Sequence, residues 1–205
     1  MHIQVTNMAF PHAFVIPMSA EMTITQWHAP VDDTHCYWYA IFTSFTQPVD
    51  KAAMRAQRLK LYTLPDTLPD TLPDDVPRTN KLNDCGFDPA KQAHATYTGM
   101  GDDINVHDQW AVESMGPIQD RTKENLASSD KAIAAFRRLL VRAIRDVGEG
   151  RRPLLALDAA AAARVQGPPS IDAIGPVEGW EAHWRAQDWL RRERAPWTAS
   201  LSAAA

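Results

Sequence analysis

The sequence predicts an α+β fold: antiparallel strands over residues 1–46 come first, and helices dominate after residue 103. Three observations carry this. The first segment holds short runs rich in β-branched and aromatic residues, divided by prolines. Its two longest runs flank a segment of hairpin length. Beyond Asp103, apolar residues recur three and four positions apart, the period of an amphipathic helix.

The runs Ile3-Gln4-Val5-Thr6, Phe14-Val15-Ile16, Met22 to His28 and Tyr37 to Phe45 read as strands, with Pro11, Pro17 and Ala29-Pro30-Val31-Asp32-Asp33 as turns. Alternation puts Tyr37, Tyr39, Ile41 and Thr43 on one side of the last strand and Cys36, Trp38, Ala40 and Phe42 on the other. Both sides are largely apolar. That predicts a sheet covered on both faces, or one whose concave face lines a cavity. A helix is expected from Asp50 to about Lys60. It is followed by a tetrapeptide written three times, Thr63-Leu64-Pro65-Asp66 and its copies ending at Asp70 and Asp74. A proline every fourth residue excludes helix and central strand, so residues 63–77 read as a surface loop.

The clearest helix carries Ile133, Phe136, Leu139, Leu140, Ala143, Ile144 and Val147 on one side and Arg137, Arg138, Arg142 and Arg145 on the other. Ser129 is its expected N-cap and Gly148 its stop, and the arginines form a solvated face. A last amphipathic segment holds Trp180, Trp184 and Trp189, spaced to dock a C-terminal helix. The expected division is a domain over residues 1–150, with strands 1–46 and helices 103–148, and a helical extension and tail over 151–205.

A chain of 205 residues with 45% hydrophobic and 22% charged residues can bury one sizeable core. The formal charge of -4 provides no basic field, which argues against nucleic acid and anionic membrane surfaces as partners. Cys36 and Cys85 stand in no metal-like or paired spacing, which points to a reducing, cytoplasmic compartment. No run approaches the roughly 18 apolar residues of a membrane helix. Neither a nucleophile elbow, a phosphate-binding loop, a dinucleotide glycine motif nor HExxH is present, which weakens hydrolase, kinase and dehydrogenase readings.

The residues with chemical content cluster around Asp108. On a helix from Ile104 to Met115, Asp108 shares a side with Ile104, Ala111, Val112 and Met115. A carboxylate in that place is expected to be buried, and burial demands a cation, a metal or several donors. A salt bridge or a helix cap is the simpler partner. His107 points about a third of a turn away, toward the surface or a supporting position. The remaining histidines, His2, His12, His28, His35, His94 and His183, show no ligand spacing and read as satisfied polar residues.

Several passages resemble one family: Val5-Thr6-Asn7, Pro30-Val31-Asp32-Asp33-Thr34-His35, Asn83-Asp84-Cys85-Gly86-Phe87-Asp88, Asn105-Val106-His107-Asp108-Gln109-Trp110-Ala111, and Ser114-Met115-Gly116-Pro117-Ile118-Gln119-Asp120-Arg121-Thr122. Together they make residues 3–150 similar to the C-terminal part of the large subunit of Rieske-type non-heme iron aromatic ring-hydroxylating oxygenases, the phthalate and phenoxybenzoate dioxygenase branch. The resemblance implies a helix-grip fold, a curved antiparallel sheet around a long helix as in lipid-transfer-like domains. It also implies NAD(P)H-driven insertion of O2 into an aromatic acid or aryl ether at a mononuclear Fe(II) held by two histidines and a carboxylate. By motif the carboxylate is Asp108. Tyr37, Tyr39 and Trp27 become candidates for contact with an aromatic substrate, with core packing as the plain alternative.

The same resemblance marks departures. Neither cysteine begins the Cys-x-His or Cys-x-x-His pair of a 2Fe-2S Rieske cluster, and no histidine pair has the spacing of the two iron ligands. The expectation is therefore a latter portion of a longer catalytic unit that does not perform oxygenase chemistry alone. Expected partners are an aromatic small molecule, an N-terminal half carrying the missing motifs or a reductase, and further copies in a trimer. The alternative function is a non-catalytic aromatic-ligand-binding domain or pseudo-enzyme.

Overall fold

The computed structural model describes residues 1–61, 79–102 and 104–198; the proline-rich repeat of residues 63–77 lies outside the described residues. In chain order the elements are β1 (His2–Gln4), β2 (Asn7–Ala9), β3 (Ala13–Pro17), β4 (Met22–Pro30), β5 (Cys36–Ser44), α1 (Lys51–Leu61), α2 (Pro89–His94), α3 (Ile104–Ser114), α4 (Lys131–Gly148), α5 (Ala159–Ala162), β6 (Asp172–Ile174) and α6 (Trp180–Arg194). The fold is α+β, as its sequence pattern predicts. The chain forms two compact units, one from Met1–Val49 with Asn125–Ala205, the other from Asp50–Glu124.

In the first unit, β2, β3, β4 and β5 form an antiparallel meander in that order. The long hairpin pairs Pro30 with Cys36 at its turn and Met22 with Ser44 at its far end. Its turn is closed by Asp32, whose carboxylate accepts from the Thr34 and His35 amides at 2.7 and 2.8 Å. The Thr34 amide first, then the His35 ring and its amide, hold the Asp32 carboxyl down at a pKa of about 2. A second, two-stranded sheet joins β1 to β6, with Ile3 opposite Ala173. That pairing links the two ends of the unit, so the segment expected to be a helical extension also supplies a strand.

The core beside this small sheet consists of Ile3, Ile171 and Trp184, with Val5 and Trp180 packed on it. The Trp184 indole N–H donates to the Ile171 carbonyl at 2.9 Å, which satisfies its one polar atom. Trp189 does not join them and is exposed. Four residues beyond Trp184 comes Asp188, so Asp188, at 3% exposure, occupies the buried stripe instead. Its charge is compensated: Arg191 donates to it, Arg192 Nε donates at 2.6 Å, and the Ser170 amide donates at 3.2 Å. The Arg191 guanidinium lies 3.8 Å from the Phe45 ring centroid.

α4 runs as expected to Gly148 but starts after Asp130, one residue beyond Ser129, and the Asp130 carboxylate accepts from the Ala127 amide rather than from the helix. Ala143 and Asp146 are buried on it, and Asp146 accepts from Arg151 at 2.7 and 3.0 Å. Arg138, Arg142 and Arg145 are exposed.

The second unit opens with α1, whose first turn is capped by Asp50 accepting from the Ala52 and Ala53 amides at 3.0 Å each. A tight turn over Lys81–Gly86 precedes α2, which has Asp88 as N-cap and Pro89 at its first position. In that turn Asp84, Cys85 and Gly86 all take left-handed backbone angles. The Lys81 amide then donates to Glu113 of α3 at 2.8 Å, tying the turn to that helix. Among the described residues no helix is long and apolar enough to cross a membrane.

Candidate functional site

One face of the four-stranded sheet gathers the three aromatic residues singled out from the sequence. Register sets Trp27 directly opposite Tyr39 and Tyr37 opposite Ala29. The Tyr37 and Tyr39 rings lie 6.2 Å apart at an interplanar angle of 46°. Tyr37, Tyr39 and Ile41 are 50%, 57% and 53% exposed, while Trp27 is half-buried. Of the two expectations for this sheet, cover on both faces is not found among the described residues: alternation fixes which residues share a side, but not whether another element lies over them. The arrangement offers flat apolar surface with phenolic O–H groups, suited to stacking against a planar ring.

The other face carries His28 opposite Trp38 on β5. The Phe14 and His28 rings meet edge-on at 5.7 Å. The His28 amide donates to the His12 carbonyl at 3.0 Å, continuing the β3–β4 ladder by one step. Burial, followed by the neighbouring His12, lowers the His28 pKa. His12 Nδ1 is buried and makes no hydrogen bond. The sequence reading of His12 as a satisfied polar residue is thus corrected. Its signal was its position in register with His28, which composition and spacing conceal.

In the second unit, two of the passages that carry the resemblance come together. Glu113 of α3 accepts from Gln109 Nε2 at 2.7 Å and from the Lys81 amide that leads into the Asn83–Asp88 segment. Cys85 is buried at 1% exposure, and burial, then the Glu113 and Asp84 charges, push its thiol pKa up. α3 thus turns Gln109 and Glu113 toward its own unit.

Asp108 is on the opposite side of α3 and is exposed, as are Ile104 at 63% and Val112 at 62%. The expected burial of Asp108 is not found. Its apolar neighbours lie on its own side, as periodicity predicts, but that side is open. His107, next to it, is part-buried and held: its Nε2 lies 2.9 Å from the Gly101 carbonyl and 2.9 Å from Thr98 Oγ1. A carbonyl only accepts, so Nε2 carries the hydrogen.

An iron(II) site of two histidines and one carboxylate needs three donors converging on one point. Among the described residues no group of three His, Cys, Asp or Glu side chains is placed to hold a metal ion. Asp108 belongs to one unit, and Trp27, Tyr37 and Tyr39 to the other. Among the described residues the donors do not make up that metal site.

The family model described as LigXa C-terminal domain like matches residues 1–199. No curated protein matches the sequence.

Proposed function

We propose, for a chain that belongs to the LigXa C-terminal domain-like family, a C-terminal family of Rieske-type oxygenases, that it serves as part of the catalytic domain of an aromatic ring-hydroxylating enzyme. The reaction class is NAD(P)H-driven insertion of O2 into an aromatic acid or aryl ether. The observation that carries the reading is the family match over residues 1–199, which takes in the Asn105 to Thr122 passage around Asp108. In this reading Asp108 is the carboxylate contributed to a mononuclear iron, and Trp27, Tyr37 and Tyr39 present the surface for the aromatic ring. The phthalate and phenoxybenzoate branch supplies the substrate class. The iron histidines and the 2Fe-2S cluster come from a further polypeptide segment, a reductase delivers electrons, and trimeric assembly and a cytoplasmic setting accompany them.

A second reading is a non-catalytic binder of aromatic ligands. It is favoured by the lack of any three-donor metal cluster among the described residues, alongside the aromatic patch of β4 and β5. Titration of the chain with phthalate and 3-phenoxybenzoate, with and without Fe(II), separates the two. The oxygenase reading expects ligand affinity to rise with Fe(II) and that rise to vanish in Asp108→Ala. Binding indifferent to both Fe(II) and Asp108→Ala supports the binder, and no binding at all counts against both.

A further inference from the structure

Of the seven histidines, several have a ring nitrogen committed to protein oxygens: His2 to Asp172, His35 to Asp32, His107 to Gly101 and His183 to Ile174. His12 and His28 are different. His28 lies on β4 and His12 immediately precedes β3, the two joined by a backbone hydrogen bond of 3.0 Å from the His28 amide to the His12 carbonyl. The β3–β4 register runs from Pro17 opposite Thr23 to Ala13 opposite Trp27, and its next step places His12 opposite His28. Residues directly opposed across an antiparallel pair have Cβ atoms about 4.5–5.5 Å apart and project to the same face. The His28 ring packs edge-on against Phe14, which lies two residues along β3 from His12. Both imidazoles are partly withdrawn from solvent, and His12 Nδ1 is buried with no hydrogen-bond partner.

We propose that His12 and His28 form a two-imidazole site for a divalent first-row transition-metal ion, with water completing the coordination. Imidazole nitrogen is a favoured donor for Zn2+, Cu2+ and Ni2+, whereas Mg2+ and Ca2+ require oxygen. Two rings held side by side by a backbone hydrogen bond are ordered before the ion arrives, which limits the entropy lost on chelation. A metal ion on His12 would also give its sheltered ring the polar partner it lacks. The site is on the first unit and uses neither Asp108 nor the Tyr37–Tyr39 face.

The test titrates the full chain with Cu2+, Ni2+ and Zn2+, following stoichiometry by equilibrium dialysis and ligation by electron paramagnetic resonance of the Cu2+ form. The expected result is one equivalent with Cu2+ bound more tightly than Ni2+ or Zn2+. Its spectrum should show two coordinated nitrogens. His12→Gln and His28→Gln should each weaken binding by about 10-fold or more, since loss of a ligand costs at least what loss of a ligand's supporting contact costs. His35→Gln and His2→Gln should leave it unchanged. Circular dichroism melts establish that the variants fold; for one that does not, the nitrogen count of the wild-type spectrum decides. Equal binding in folded His12→Gln and His28→Gln chains, loss of binding in His35→Gln or His2→Gln, or a spectrum with fewer than two nitrogens overturns the proposal.

Discussion

Asp188 and Arg191 form an ion pair one helical turn apart on α6, with their side chains only 4% and 6% exposed. Burial lowers the Arg191 pKa and the Asp188 charge works against that shift, so each member depends on the other. The pair fastens α6 to the Ser170 carbonyl and to the Phe45 ring.

Removing one member strands the other. Asp188→Ala is expected to destabilise the first unit by about 3–5 kcal/mol, the cost of an uncompensated buried charge. The double variant Asp188→Leu with Arg191→Met should recover much of that loss. Urea unfolding followed by tryptophan fluorescence checks both, and a single variant within about 1 kcal/mol of wild type would show that the charge is not confined.

Gly99 has a φ of +73°, and a Cβ there would stand 2.7 Å from the Asp88 carbonyl oxygen and 2.9 Å from Gln92 Cβ. Both the backbone angle and the space exclude a side chain. Gly99→Ala is expected to cost more than about 1 kcal/mol, felt in the second unit. Hydrogen exchange should show faster opening of α2 and the Asn80–Asp88 segment.

The Asp32 carboxyl, held at about 2 against an ordinary 3.8, gives stability a defined acid limb. Its contribution is full above pH 3.8 and is lost as pH falls through about 2, because the ionised carboxylate accepts from Thr34 and His35 more strongly than the protonated acid does. Melting temperatures of wild type and Asp32→Asn should therefore differ by a constant amount at neutral pH and converge between those two values.

The two thiols should react at very different rates. Cys36 is exposed, whereas Cys85 is buried with its pKa raised. A disulfide reagent at pH 8 is expected to titrate one thiol rapidly in the native chain and the second only after denaturation. Cys36→Ser should abolish the rapid phase.

The β4–β5 hairpin was legible in the sequence because alternation and a short polar turn act locally; Tyr37, Tyr39 and Ile41 share the face that period two assigns them. β6 was not legible. Three residues, Asp172 to Ile174, become a strand only because β1 lies beside them, and no local pattern encodes a partner so far away in sequence. The tryptophans of α6 misled in the same way. Spacing of four reaches Trp184, but five carries Trp189 off the face and leaves Asp188 inside, where Arg191 and Arg192 at the third and fourth positions were the available signal. For Asp108, periodicity gave its apolar neighbours correctly and its burial wrongly, since a stripe records a side and not its cover. The His12 and His28 relationship depends on strand register, which spacing along the chain does not express.

The proposed role of this chain is to supply Asp108 to the oxidation of an aromatic acid. The most direct test combines the chain with NAD(P)H, a reductase and a polypeptide carrying the Rieske cluster and the iron histidines. It then measures 18O2 incorporation into phthalate or 3-phenoxybenzoate by mass spectrometry. Labelled hydroxylated product is expected that requires the chain and disappears with Asp108→Ala while the variant still melts cooperatively. Labelled product formed equally with Asp108→Ala, or formed without the chain, would contradict that role.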